Sequence, residues 1–245
     1  MVNIVHVRRL LKAGETADSW FPSETEGVTT TTVADNKLAK FQPRQEAAMI
    51  EAFGPDYHIP TDFPVYGEFD RERRVKNARR AAAGTLWMDE HLADEVTLLP
   101  LIKGTTPDER AICEEVVDRL DAPMAVKYGV QYVSVGGNGG MGTLTSDLAA
   151  IAAETNGLPI LCIGPMAPGS HLGIQKYPPN VWAAAGTNAW VKRVEPRSSS
   201  PESMRVKYDL FANAVANALD VPQRYNSQEV ATEADQAASM SHSQG

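Results

Sequence analysis

Two aspartates, Asp35 and Asp62, stand at the ends of short strand-like segments that read VTTTTVAD and DYHIPTD. These segments are rich in residues that favour β-strands, and a carboxylate just after a strand faces the open edge of a sheet. Such a carboxylate can serve as a nucleophile, as an acid/base group or as a hydrogen-bond acceptor. Either aspartate alone could instead be a turn residue, since Asp is common in turns. The pair is our first hypothesis for a catalytic centre.

Further polar and glycine residues follow the other strand-like segments. In parallel α/β folds the active site lies at the carboxyl ends of the strands, so these residues are expected at the same edge as the two aspartates. Glycine lets a flat ring approach the backbone closely. The stretch GGNGGMG matches neither a Walker loop nor a dinucleotide fingerprint. The predicted substrate-binding residues are Lys103, Gly104, Gly136, Gly137, Asn138 and Asn188.

A basic stretch, RERRVKNARR, begins a few residues after Asp62. The chain as a whole carries a net charge of −8, yet residues 73–80 contain no acid. A solvated helix face is the ordinary interpretation of such a run, but a local concentration of arginine in an acidic chain also suits bidentate binding of phosphates. The predicted contacts to a nucleic-acid backbone are Arg73, Arg74, Lys76, Arg79 and Arg80.

Composition restricts the other classes of function. No apolar run approaches the ~20 residues of a membrane span, and the N-terminus lacks a signal-peptide pattern, so we expect a cytoplasmic protein without a membrane partner. Cys113 and Cys162 lie in apolar contexts and are predicted to be buried free thiols. Conventional spacings build no zinc site, and we expect neither a metal nor a cofactor.

Strand-like and helix-like segments alternate along the chain, which predicts a parallel sheet. We expect a compact (β/α)8 TIM-type barrel over residues 1–225, with a doubly wound open sheet as the alternative, and a disordered tail over 226–245. Helix caps are expected at Thr106 and at Thr145 or Ser146. The predicted strands are 2–7, 28–35, 56–62, 96–104, 130–137, 158–164 and 181–186, and the predicted helices are 42–54, 106–120, 145–157 and 203–219.

The order of motifs resembles the tRNA-guanine transglycosylase superfamily, whose members exchange a guanine in nucleic acid for a 7-deazaguanine. The resemblance runs over roughly residues 28–194 and rests on VAD, PDYHIPTD, the arginine-rich helix, LLPLIKG, YVSVGG, LPILCIGPMAP and AAAGTNAW. The short chain is more similar to the phage and other DNA-modifying members than to the tRNA enzymes. It departs from the family in lacking the zinc cluster.

The resemblance implies a role for each matching residue. Asp35 matches a catalytic aspartate, and Asp62 matches one that recognises the edge of the base. Lys103 stands in place of a base-contacting Gln, while Gly136 and Gly137 match glycines whose N–H groups meet the base carbonyl. In the late strand, where the family has a catalytic Asp, this chain reads GTNAWVKRV.

The sequence therefore predicts a pentosyltransferase whose carboxylate nucleophile acts on DNA, or alternatively on tRNA, and which takes up a free 7-deazaguanine base. For a viral protein the compartment would be the host cytoplasm. One alternative is a catalytically reduced nucleic-acid-binding partner subunit. Another is a small-molecule barrel lyase using Lys103 as a Schiff-base amine. Whether the protein forms a homodimer or joins a partner stays open.

Overall fold

The computed structural model describes residues 1–31, 42–129, 140–164 and 174–219, and at positions 140–142 and 188 it describes the backbone alone. These residues form a mixed α/β fold whose strands are all parallel. The predicted parallel α/β class is therefore confirmed.

The strands and helices follow each other along the chain as predicted for alternating units. The strands are β1 (Val2–Asn3), β2 (Val28–Thr30), β3 (Tyr57–Ile59), β4 (Thr97–Leu98), β5 (Ala125–Tyr128), β6 (Ile160–Ile163) and β7 (Val181–Ala185). The helices are α1 (Ile4–Lys12), α2 (Ala17–Trp20), α3 (Pro43–Phe53), α4 (Arg71–Asp89), α5 (Pro107–Leu120), α6 (Gly140–Glu154), α7 (Thr187–Val194) and α8 (Pro201–Leu219), with a short 3-10 helix at Ile174–Lys176.

The strands lie side by side in chain order. One sheet has the order β1-β2-β3-β4 and the other β5-β6-β7. Backbone contacts connect them just after β4, where Val126 N donates to Pro100 O at 2.8 Å and Ile102 N donates to Val126 O at 2.9 Å. A doubly wound sheet reverses its strand order at a switch point. The strands described here show no such reversal.

The two faces of the sheets bury different side chains. Val126 and Tyr128 of β5 belong to a cluster that also includes Val28, Ile59, Ile163 and Ala185, so β2, β3, β5, β6 and β7 contribute to it, and the segment just after β4 adds Leu99 and Leu101. Ala125 of β5 instead packs with the helix layer. This alternation along one strand is the period-2 geometry of extended backbone.

The first predicted strand, 2–7, is wrong beyond its start. Only Val2–Asn3 is extended, and α1 begins at Ile4. The side chain of Asn3 accepts a hydrogen bond from His6 N at 3.0 Å, which caps the helix. Ile4, Val7 and Leu10 are buried on one helical face. The β-branched residues at the start of this segment suggested a strand, but tertiary burial of that face decides for a helix.

Several further boundaries differ from expectation. The predicted strand 96–104 is a strand only at Thr97–Leu98, with one isolated bridge at Leu101. The strand Ala125–Tyr128 was not predicted, because Lys127 interrupts its apolar pattern, and the predicted strand 130–137 lies outside the described residues. Helix α6 begins at Gly140, so Thr145 and Ser146 lie within the helix and do not cap it. Thr106 is the N-cap of α5 by backbone conformation, but its side chain makes no capping hydrogen bond.

The ends of two helices and the state of the two cysteines agree with the sequence predictions. Helix α3 ends at Gly54, whose φ of +66° is the left-handed conformation that glycine readily adopts. Pro107 occupies the first turn of α5. Cys113 and Cys162 are buried free thiols. In the part of the chain covered by the structure, no helix is both long and apolar enough to cross a bilayer. The predicted tail, 226–245, lies outside that part.

Candidate functional site

Asp62 and Lys103 meet at the carboxyl edge of the first sheet. Asp62 comes three residues after the end of β3, and Lys103 follows the extended segment after β4. Nζ of Lys103 donates to Oδ1 of Asp62 in a salt bridge, with side chains 4% and 18% exposed. No group of the described residues donates a hydrogen bond to Oδ2 of Asp62. The pair therefore combines a partly accessible carboxylate oxygen with a nearly buried ammonium.

The end of β2 holds the backbone that carries Asp62. Oγ1 of Thr31 donates to Pro60 O at 2.9 Å and accepts from Asp62 N at 3.1 Å. Because Thr31 is fully buried, this bridge is shielded from water. The position of Asp62 is thus determined by two adjacent strands rather than by its own turn alone.

Tyr128, the last residue of β5, also belongs to this site. Nζ of Lys103 lies 5.4 Å from the centroid of the Tyr128 ring, a cation–π distance. The Tyr128 hydroxyl is hydrogen-bonded to Oγ1 of Thr30 in β2 at 2.9 Å. The ends of β2, β3, β4 and β5 consequently converge on one polar site.

A buried polar network lies behind Asp62, between the sheet and α3. Oε1 of Glu46 is 2.9 Å from Nε2 of His58, whose Nδ1 is 2.9 Å from Oγ1 of Thr29. The hydroxyl of Thr61 donates to the other oxygen of Glu46. His58 is fully buried. Glu46 gave no signal in the sequence, because a single acid within a helical stretch is ordinarily solvated.

Gly104 is required by close packing against α5. Its φ is +104°, and a Cβ at this position would lie 2.5 Å from Cβ of Glu109. Nζ of Lys127 donates to the Gly104 carbonyl oxygen at 3.0 Å. These contacts explain the glycine without a ligand, and its predicted contact to a base stays a prediction.

Glu109 stabilises the start of α5 beside this glycine. It accepts from Thr105 N at 3.0 Å and from Nε of Arg74 at 2.9 Å. Burial by itself would raise the pKa of Glu109, but the Thr105 N–H and the Arg74 guanidinium outweigh it and lower that pKa. The sequence did not predict this buried ion pair.

A second charged network lies in the helix layer next to the site. Lys127 contacts Asp147 at 2.9 Å, and Arg110 pairs with both Asp147 and Glu154. Burial lowers the pKa of the Lys127 ammonium even though Asp147 raises it. Burial and the neighbouring Glu154 raise the pKa of Glu114 to about 7. None of the described residues forms a group of three or more metal ligands.

The cations of the basic helix α4 differ in their exposure and in their partners. Arg74 is only 15% exposed and pairs with Glu109, so it faces α5. Arg73, Lys76, Arg79 and Arg80 are exposed. Lys76, Arg79 and Arg80, with Arg71, line a surface groove of about 680 Å³. The exposed cations form a positive surface in a chain of net charge −8.

The loop after Asp62 connects this positive surface to the salt bridge. Nδ2 of Asn77 donates to Pro64 O at 2.7 Å, and the guanidinium carbon of Arg80 lies 4.1 Å from the centroid of the Phe63 ring. Phe63 directly follows Asp62. Helix α4 is therefore attached to the segment that carries the candidate catalytic carboxylate.

The remaining predicted residues cannot be compared with the geometry. Asp35, Gly136, Gly137 and Asn138 lie outside the described residues. Asn188 is the second residue of α7, three residues after the end of β7, and only its backbone is described. Its position at a carboxyl strand end agrees with the expectation.

Comparison with known proteins adds no relative. No protein-family model matches the chain, and the comparison with curated proteins found no match.

Proposed function

We propose that this protein is a transglycosylase that exchanges guanine in nucleic acid, DNA in preference to tRNA, for a 7-deazaguanine base. The observation that carries the proposal is Asp62. Its carboxylate lies at the carboxyl edge of a parallel sheet, with Oδ2 not hydrogen-bonded by any described residue, and the next residue contacts a positively charged helix. A nucleobase in the site needs a hydrogen-bond acceptor such as this carboxylate, and the phosphates of its backbone need cations close by.

The reaction divides into two displacements at C1′ of the target nucleotide. In the first, a carboxylate oxygen bonds to C1′ while the C1′–N9 bond breaks, and guanine leaves with the electron pair and takes a proton from water. In the second, N9 of the incoming base gives its proton to water and bonds to C1′, and the C1′–O bond breaks to release the carboxylate. Both transition states resemble an oxocarbenium ion, which a neighbouring carboxylate stabilises.

The two aspartates take different roles in this proposal. Asp35 is the nucleophile, since the late-strand position holds Asn188, which is no nucleophile for C1′. Asp62 accepts hydrogen bonds from the ring and exocyclic N–H groups of the base. Lys103 orients the Asp62 carboxylate through their salt bridge.

We propose that the scaffold is the eight-stranded barrel expected from the sequence. The strands follow chain order. The Tyr128 hydroxyl of β5 lies 2.9 Å from Oγ1 of Thr30 in β2, although three strand spacings of about 4.8 Å each would separate these strands in a flat sheet. Curvature toward closure accounts for this contact.

The lyase alternative is disfavoured by the same salt bridge. A Schiff-base amine must reach the carbonyl carbon of its substrate, and Nζ of Lys103 is nearly buried and in contact with Oδ1 of Asp62. Borohydride trapping with a small carbonyl compound should therefore not modify Lys103. Covalent modification at Lys103 would favour the lyase instead.

The proposal is tested by exchange of radiolabelled guanine, run side by side on duplex DNA, unpaired DNA and tRNA. Incorporation of label into one polymer, and its loss in Asp62→Asn, is the expected result. Lys192→Gln is the matched control, because it removes an exposed charge from the last turn of α7 that makes no contact with Asp62. Salt-dependent binding without exchange would favour the binding subunit over the enzyme.

A further inference from the structure

The loop between Asp62 and α4 carries an unusual density of aromatic residues. Aromatic side chains make up 7% of the chain, yet Phe63, Tyr66 and Phe69 fall within seven consecutive residues. All three are half-buried, so each ring keeps part of its surface in contact with solvent. The rings of Tyr66 and Phe69 meet edge to face with centroids 5.2 Å apart. This loop therefore presents ring surface beside the candidate site.

Arginines from α4 stack on two of these rings. The guanidinium carbon of Arg73 lies 3.5 Å from the centroid of Phe69, and that of Arg80 lies 4.1 Å from the centroid of Phe63. A guanidinium that lies over a ring still has N–H groups that can bind phosphate. We call Phe63, Tyr66, Phe69, Arg73 and Arg80 the aromatic–arginine surface.

The backbone under this surface is firmly held. Val65 is buried, and Asn77 donates to Pro64 O at 2.7 Å. The carboxylate of Asp70 caps α4 by accepting from Arg73 N at 2.7 Å. A ligand would therefore meet a surface that is already ordered, which reduces the entropy lost on binding.

We propose that the aromatic–arginine surface binds unpaired nucleotides next to the target base, a proposal that rests on the proposed transglycosylase function and specifies its substrate. Rings and guanidinium planes bind nucleobases by their faces, and arginine edges bind the phosphates between them. In a duplex the base faces are covered by their neighbours, so a duplex can offer this surface only phosphates. Phe63 is adjacent to Asp62, so the bound nucleotides flank the base that reaches the carboxylate.

The inference is tested by fluorescence anisotropy with three labelled probes of one mixed sequence: unpaired DNA, unpaired RNA and the DNA duplex. Wild-type protein should bind an unpaired strand more tightly than the duplex. Phe63→Leu and Phe69→Leu should each weaken binding of the unpaired strand roughly tenfold and leave duplex binding unchanged. The DNA and RNA arms decide which polymer is preferred.

Two controls separate stacking from charge and from folding. Trp20→Leu removes a ring that is 51% exposed on α2, before the start of β2 and away from the carboxyl edge, and should leave all binding unchanged. The leucine variants should keep the wild-type dependence of affinity on salt, whereas Arg80→Gln should flatten it. A flattened slope in Phe63→Leu would mean that the ring only orients Arg80.

Equal weakening of unpaired and duplex binding, or no weakening, would overturn the inference and leave the rings as packing for α4. The guanine-exchange assay on the same variants distinguishes failure of the aromatic–arginine surface from failure of the proposed transglycosylase function. Exchange that proceeds while the leucine variants bind unpaired strands normally refutes only the aromatic–arginine surface. Ring-dependent binding of unpaired strands with no exchange on any polymer refutes only the transglycosylase.

Discussion

The Lys103 ammonium and the Asp62 carboxylate form a salt bridge across 41 residues of sequence, at the edge where β3 and β4 end. Each residue follows a different strand, so their meeting depends on the parallel pairing of those strands. Because Lys103 is nearly buried, the salt bridge stabilises this edge of the sheet. It also orients the Asp62 carboxylate.

Asp62→Asn should reduce base exchange at least tenfold, because it removes the charge that accepts the base donors, an interaction of about 1.5–3 kcal/mol. It should also lower the free energy of unfolding by about 1–3 kcal/mol, since Lys103 then lacks its carboxylate. Exchange kinetics and urea unfolding measure the two effects.

The double variant Asp62→Asn/Lys103→Met provides the control for that change. Removing both charges should restore part of the lost stability without restoring exchange. Full turnover by Asp62→Asn would remove Asp62 from the mechanism.

Asp35→Ala should prevent a covalent adduct between protein and nucleic acid, because the nucleophile is then missing. Denaturing gel electrophoresis after incubation with substrate detects the adduct as a shifted band. Asp62→Asn is a useful comparison, since it retains Asp35. A denaturation-resistant adduct in Asp35→Ala would show that the nucleophile is another residue.

The arginines of α4 should separate into two groups. Replacing Arg73, Arg79 and Arg80 with Gln should lower the log–log dependence of B-DNA affinity on salt by roughly two to three, at about 0.9 for each lost phosphate contact. Arg74→Gln should leave the slope unchanged, because Arg74 pairs with Glu109. Binding titrations over a range of salt concentrations measure the slope.

Arg74→Gln should instead destabilise the fold, since Glu109 is fully buried and loses its cation. We expect a loss of about 1–3 kcal/mol in the free energy of unfolding. The lowered pKa of Glu109 means that this stabilisation is present above the ordinary carboxyl pKa and is lost as the pH falls through the folded value. An equal drop in slope for Arg74→Gln would contradict its assignment to α5.

Glu114→Gln should stabilise the protein at alkaline pH. The folded pKa of Glu114 is about 7 against an ordinary 4.5, so protonated Glu114 contributes stability that is present below pH 4.5 and is lost as the pH rises through 7. At pH 8 the variant should gain about 1 kcal/mol, because the side chain is partly exposed, or about 2–4 °C in Tm.

Calorimetry of Glu114→Gln and wild type at pH 5 and pH 8 measures this difference. Glu115→Gln is the matched control, since Glu115 is exposed on the same helix. A gain of equal size at both pH values would show that ionisation of Glu114 is not the cause.

Local patterns in the sequence determined much of the secondary structure, the place of Asp62 after a strand and the position of the basic helix. Apolar periodicity with Pro107 at a helix start and Gly54 at a helix end predicted α5 and α3 because these signals act within a few residues. The strand-like segment before Asp62 predicted a carboxylate at the edge of the sheet. The arginine-rich stretch predicted a charged helix, which is α4.

Only the tertiary structure decided which charges meet. The pairs Lys103–Asp62, Arg74–Glu109 and Lys127–Asp147 join separate strands and helices, so no local period reveals them. The same cause hid β5, since a lysine inside a strand is buried only when a distant acid compensates its charge. Hydrophobic patterning reports which face of an element turns inward, whereas the partner of a buried charge is chosen by how the elements pack.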